Sequence, residues 1–205
     1  YDYIYTGKRT SYLIKNIQNG TDKYTYKYDK LNNITHLYYN DELQKQYYYD
    51  EYNELIKEED YQNNVKIEYN YDNLGNLLTK SKTNLETNVI ISIDTYQYSN
   101  SNWEDQLTNF NGRSITYDEI GNPLTIGNSI TMDWINGRSL CSYSDSSNNL
   151  DIIYDYDING IRTSKVVNGS QTKYYLENSN IIYEKRGTDK LYYLYDLKGL
   201  IGLKY

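Results

Sequence analysis

A chain of 205 residues is long enough to bury one substantial core. Its mean hydropathy of −0.88 and its 29 tyrosines, set against one Phe and one Met, leave few aliphatic side chains to fill one. The net charge of −7 and pI near 4.8 argue against a nucleic-acid partner, whose phosphates call for a basic face, and the single cysteine, Cys141, excludes an internal disulfide.

No apolar run approaches the ~20 residues of a membrane helix, so no membrane insertion by this segment is expected. Disordered chains are poor in aromatics, whereas this one is 16% aromatic. A tyrosine ring can pack on a neighbouring strand while its hydroxyl reaches water or a partner, which suits a thin, half-wet sheet.

In chain order, Tyr1 to Arg9 alternates aromatic with other residues and turns at Gly7, a frayed first repeat that begins mid-pattern and without an initiator Met, so its start reads as a domain boundary. Asn19-Gly20 is a hairpin signal, and Tyr24-Thr25-Tyr26-Lys27-Tyr28 is a period-two strand with three rings on one face, answered by Ile34 to Tyr39. Asp50 to Glu59 can be read as a capped acidic helix, but its neighbours favour strand-turn-strand. Lys80 to Asn102 is a looser repeat in which Ser99 stands where Asp is expected. Pro123 cannot donate to a ladder and is expected at the start of a return strand. Asn136-Gly137 and Asn168-Gly169 signal further turns, and Ile181 to Glu184 and Leu191 to Tyr195 read as central strands.

One unit recurs along this text. Tyr-Asp pairs stand at Tyr28-Asp29, Tyr49-Asp50, Tyr71-Asp72, Tyr117-Asp118, Tyr156-Asp157 and Tyr195-Asp196, and three residues after each Asp comes Asn32, Asn53, Gly75, Gly121, Gly160 or Gly199. Gly and Asn are the residues that best tolerate the left-handed conformation, and an Asp can accept from a backbone N–H two residues on. Each copy therefore reads as the turn of a β-hairpin, and the spacing of the first three at positions 29, 50 and 72 marks a repeat architecture. Two strands per unit give about sixteen to eighteen strands, and at ~4.8 Å per strand a strip of roughly 80 Å. Twist makes so long a sheet curl or close.

The Y-D-x-x-G-N unit of Tyr71 to Asn76 and Tyr117 to Asn122, with Trp103 to Leu107, Trp134 to Leu140 and Tyr156 to Arg162, resembles the YD or RHS repeat of bacterial polymorphic toxins, toxin-complex shells and teneurins. The resemblance covers essentially the whole chain and makes residues 1–205 a single array of repeats from a longer protein. It implies an all-β fold, a continuous antiparallel strip of repeated hairpins, curled or spiralling. It also implies a structural role in a shell that encloses and presents a C-terminal toxin domain, in a secreted or cell-surface bacterial protein. The implied partners are the rest of the shell and that toxin. The self-cleaving motif and toxin that follow the repeats in this family are not found in these 205 residues.

No enzyme is expected, and no cofactor. His36, the single histidine, sits on an apparent strand, and Cys141 reads as a small packed residue. The repeated Asp residues invite a calcium reading, but each stands where a turn needs an acceptor, so no metal is expected. No phosphate loop and no nucleophile elbow is present. The alternative function is a Tyr-rich module that binds cell-surface carbohydrate, with Trp103 and Trp134 as the stacking candidates.

Overall fold

A computed structural model describes residues 1–6 and 9–205, with side chains outside 5–10. The chain is all-β and folds as consecutive antiparallel hairpins, with no helix among the described residues, so Asp50 to Glu59 is strand-turn-strand. The turn expected at Gly7 lies outside the described residues. Twenty strands are present among the described residues, more than the repeat count implies. Two compact units, Tyr1–Asn111 and Gly112–Tyr205, divide the chain.

The first unit holds β1 (Asp2–Thr6), β2 (Arg9–Asn19), β3 (Asp22–Tyr28), β4 (Ile34–Tyr39), β5 (Glu42–Tyr49), β6 (Leu55–Asp60), β7 (Val65–Tyr71), β8 (Leu77–Asn84), β9 (Ile90–Gln97) and β10 (Asn109–Phe110). The second holds β11 (Arg113–Tyr117), β12 (Pro123–Ile126), β13 (Ile130–Ile135), β14 (Ser139–Asp145), β15 (Leu150–Tyr156), β16 (Arg162–Val167), β17 (Ser170–Glu177), β18 (Asn180–Arg186), β19 (Asp189–Asp196) and β20 (Gly199–Lys204). Within each unit every strand pairs antiparallel with its sequence neighbours. Pro123 opens β12, where its missing N–H costs the ladder least.

The interior is polar. Ile130 and Met132 are the buried apolar residues, whereas Asp60, Thr83, Asn122, Asp145, Ser164 and Thr172 are buried as well. Burial of this kind is costly unless the polar groups are satisfied, and Thr83 Oγ1 is an exception with no hydrogen-bond partner among the described residues. Lys45 reaches Glu58 at 2.7 Å and Asp60 at 3.0 Å, and Asp60 also accepts from the backbone and side-chain nitrogens of Asn63, both at 2.9 Å. On the opposite side of the same strands, Glu59 accepts from Tyr48, Tyr61 and Lys57, whose ammonium lies 3.7 Å from the centre of the Tyr48 ring. Burial first, then Glu59, pushes the Tyr61 hydroxyl up to about 12.

At one end of the strands, asparagine side chains lengthen the ladder. Asn40, Asn111 and Asn168 each donate their backbone N–H to the carbonyl of Lys23, Thr95 and Asp151, and each accepts the N–H of that same residue on Oδ1, at 2.7 to 2.9 Å. The side-chain amide stands in for a carbonyl while the backbone turns away. It can do so because asparagine tolerates the φ of +47 to +51° found at these positions. Asn19, by contrast, stays in its strand opposite Asp22, so that hairpin turns on Gly20-Thr21.

Replacing Asn168 by Gly keeps the backbone freedom and removes the amide. The expected cost is about 1 kcal/mol in chemical unfolding. A Gly75→Ala substitution, which places a Cβ at φ +83° and 3.0 Å from Glu54 Oε1, is expected to cost at least as much, about 1–2 kcal/mol.

Candidate functional site: the row of Tyr-Asp turns

Five of the six Tyr-Asp pairs fall at one kind of turn. In the copies at Asp29, Asp50, Asp72, Asp118 and Asp157, the Asp N–H donates to the carbonyl four residues on and its carbonyl accepts from the N–H three residues on. Its Oδ1 accepts from the N–H groups two and four residues on, at 2.8 to 3.1 Å. One carboxylate oxygen thus satisfies two turn amides. The residue three past the Asp (Asn32, Asn53, Gly75, Gly121, Gly160) takes φ between +72° and +85°. A one-residue slip follows in each return strand, leaving Thr35, Ile56, Leu78, Leu124 and Thr163 without a direct partner.

The copy at Asp196 differs. Asp196 pairs directly with Gly199, the turn shrinks to Leu197-Lys198, and the carboxylate accepts only the N–H of Lys198, at 2.7 Å. Gly199 has φ +126°, well away from the other five. The slip past the turn persists at Ile201.

The tyrosine hydroxyl has a constant task. Tyr28, Tyr49, Tyr71, Tyr156 and Tyr195 donate to the carbonyls of Ile14, Ile34, Leu55, Leu140 and Ile181, at 2.7 to 3.0 Å. Each tyrosine stands three residues past the last ladder pair with the preceding strand, and each acceptor two residues past it on that strand. The strands part there, and the phenol spans the gap. Burial, first among the causes, raises the hydroxyl pKa of Tyr28, Tyr49 and Tyr71, which keeps the donor proton in place.

Asparagine four residues past the Asp, the last position of Y-D-x-x-G-N, adds a second stitch. Asn33, Asn76 and Asn122 donate Nδ2 to the Asp Oδ2 of their own turn. The same nitrogen reaches forward, to Asn53 Oδ1, to the Glu104 carbonyl at 3.2 Å, and to the Gly137 carbonyl at 2.6 Å. Asn122 is accordingly the most buried polar residue, 3% exposed.

In the second copy Glu54 takes this place and cannot donate when ionised. Desolvation first, then Asp50 and Asp72, raises its pKa. At Asp72 the Asn76 amide is the chief influence, and it holds the carboxyl below the usual range. At Asp29 and Asp118 desolvation works the other way, but the donors from Asn33 and Asn122 with their neighbours outweigh it.

The remaining candidates lie apart from this row. His36, on β4, holds Nδ1 3.0 Å from Thr35 Oγ1 and stacks on Tyr38, and burial followed by Lys27 lowers its pKa. Cys141 is half-buried in β14. Trp134 donates its indole N–H to the Pro123 carbonyl at 2.7 Å and so braces the Asp118 turn. Trp103 is 43% exposed beside a shallow hollow of about 490 Å³ lined by Leu74, Ser101, Asn102, Glu104 and Asp105. Near it the missing Asp is replaced one residue late: Asn100, not Ser99, accepts the N–H of Asn102, while Ser99 pairs with Thr108.

Two outcomes follow for stability. The lowered Asp pKa values mean that the unfolded chain binds protons more tightly, so the stabilisation is present above about pH 4 and is lost as pH falls through the folded values. Thermal unfolding followed from pH 6 to pH 3 is expected to show this loss, with a shallower acid limb in Asp72→Asn. Glu54→Asn is expected to raise the unfolding temperature at neutral pH, because it removes a carboxylate from between Asp50 and Asp72 and restores a donor.

No profile of a known protein family matches the chain. It is 30% identical over 146 residues to the tRNA3(Ser)-specific nuclease WapA of Bacillus spizizenii and 31% identical over 139 residues to the tRNA nuclease WapA of Bacillus subtilis strain 168, covering 70% and 66% of this chain. It spans about 6% of the length of each relative. Among solved structures, TcdB2-TccC3 without its hypervariable C-terminal region shares the fold at TM-score 0.50 and 13% identity, over 87% of this chain and 11% of that one. With the Tyr-Asp unit recurring from Tyr28 to Gly199 and the likeness to the two WapA proteins, the chain belongs to the RHS, or YD-repeat, proteins.

Proposed function

We propose that residues 1–205 are one array of repeats that serves as part of a shell wall, enclosing and presenting a C-terminal toxin domain of a secreted or cell-surface bacterial protein. The reading makes this segment a non-catalytic scaffold. Any nuclease activity of the kind named for the WapA relatives would belong to another part of the parent chain. The observation that carries the proposal is the stitching of each turn to its neighbour by Tyr hydroxyl and Asn amide. Such an array extends by adding hairpins and needs no thick core, which is what a wall requires. Its partners are the rest of the shell and the enclosed domain.

Limited proteolysis of the full-length parent protein tests this. The toxin domain is expected to resist cleavage in the intact protein and to become sensitive when Asp29, Asp72 and Asp118 are all replaced by Ala. A toxin domain cut equally fast in both would refute containment.

Trp103, with its exposed ring beside an open hollow, favours a second reading, adhesion to cell-surface carbohydrate. Cell-wall glycans are then expected to shift the tryptophan emission of the wild type and to leave Trp103→Phe unchanged; no shift in the wild type would count against it.

A further inference from the structure

Charge is divided unevenly along the sequence. Residues 162–205 hold eight Lys and Arg against four Asp and Glu, a net +4, so the preceding 161 residues carry −11 of the total −7. Part of this excess is in register. Lys173 pairs with Lys185 across β17 and β18, and Lys185 with Lys190 across β18 and β19, so three ammonium groups stand side by side on one face. All three residues are exposed, and none takes part in an ion pair among the described residues. Like charges directly opposite one another destabilise a sheet, so this row works against the fold that carries it.

Beside it runs a second row on the same face. Tyr175 pairs with Tyr183 and Tyr183 with Tyr192, which in turn faces Lys204. The first two rings are stacked at 4.1 Å and 12°, and the next pair is tilted at 5.5 Å. An open hollow of about 450 Å³ lies against the patch, lined by Ser170, Gln171, Lys173, Tyr175, Lys185 and Gly187. Of the four carboxylates on these strands, Glu184 accepts from Tyr193 on the other face and Asp189 stands opposite Arg186, whereas Glu177 and Asp196 share the alternation of the patch but lie at the far ends of β17 and β19, beyond the tyrosine row.

We propose that this face of β17–β19 binds an acidic segment of another polypeptide in extended form. Charge complementarity supplies the attraction, and each lysine ammonium is a point charge on a flexible stem that can follow a carboxylate. Nucleobases and sugars stack on open aromatic faces, but the Tyr183 ring is flanked by tyrosine on both sides. The ladder instead offers ring edges and hydroxyl donors, which a peptide backbone can use. The site does not depend on the wall reading.

The test uses the 205-residue chain, a fluorescein-labelled glutamate-rich peptide and fluorescence anisotropy at low salt. Lys185→Glu places a carboxylate between two lysines, so its unfolding temperature is expected to hold or rise while its affinity for the peptide falls about tenfold or more. Saturable, salt-sensitive binding by the wild type with that loss in the variant supports the site. No saturable binding by the wild type, equal affinity in the variant, or a single-stranded oligonucleotide of matching charge bound as tightly as the peptide would overturn it.

Discussion

The hydrogen bond from the motif tyrosine to a carbonyl on the preceding strand is the contact on which this architecture depends. A hairpin alone is marginal in water, and within each unit the described strands contact only their ladder neighbours, with no second layer over the face. Two antiparallel strands can share a ladder only until their turns diverge. Past that point the main-chain carbonyls of Ile14, Ile34, Leu55, Leu140 and Ile181 need another donor. A phenol is long and stiff enough to cross the gap, and its ring covers the sheet on the way. Phenylalanine would cover but not donate, and serine would donate but not reach. This accounts for tyrosine in place of phenylalanine at positions 28, 49, 71, 156 and 195.

The same logic assigns the other polar residues. Aspartate serves the amides within a turn, asparagine four residues later joins that turn to the next, and asparagine at the opposite end of the strands imitates a peptide group. Each bond is modest, on the order of 1 kcal/mol, and each is local. Stability is therefore distributed from hairpin to hairpin, as in other repeat proteins, and the rest of the chain tolerates irregular copies such as the short turn at Asp196. The Lys173–Lys185–Lys190 row stands out against this pattern, since it sets like charges opposite one another and its one contact of opposite character among the described residues is that of Lys190 with the Tyr183 ring, at 5.4 Å.

Much of this was legible in the sequence because turn chemistry is local. Asp followed at three residues by Gly or Asn states a backbone reversal, and the alternation of Tyr fixes which face the rings share. What escaped was the contact between turns. Asn76 reads as a turn residue like its neighbours, and only the register of adjacent hairpins brings its amide to Glu104. Asn40, Asn111 and Asn168 were hidden in the same way, Asn168 inside an Asn-Gly pair whose hairpin meaning was already sufficient. At Ser99 the strict spacing misled, because Asn100 supplies the acceptor one residue later. Trp134 reads as a stacking surface, yet its N–H is committed to Pro123.

The central claim is that side-chain bonds at the turns, added to the backbone ladder and not to a common interior, hold neighbouring hairpins together. Native-state hydrogen exchange of Tyr71→Phe addresses it directly. Loss of the bond to Leu55 is predicted to release the amides of Leu55 to Lys57 and Glu68 to Tyr71 while those of β14 to β16 keep their protection. Equal loss of protection in every strand, or none at the β6–β7 junction, would contradict it.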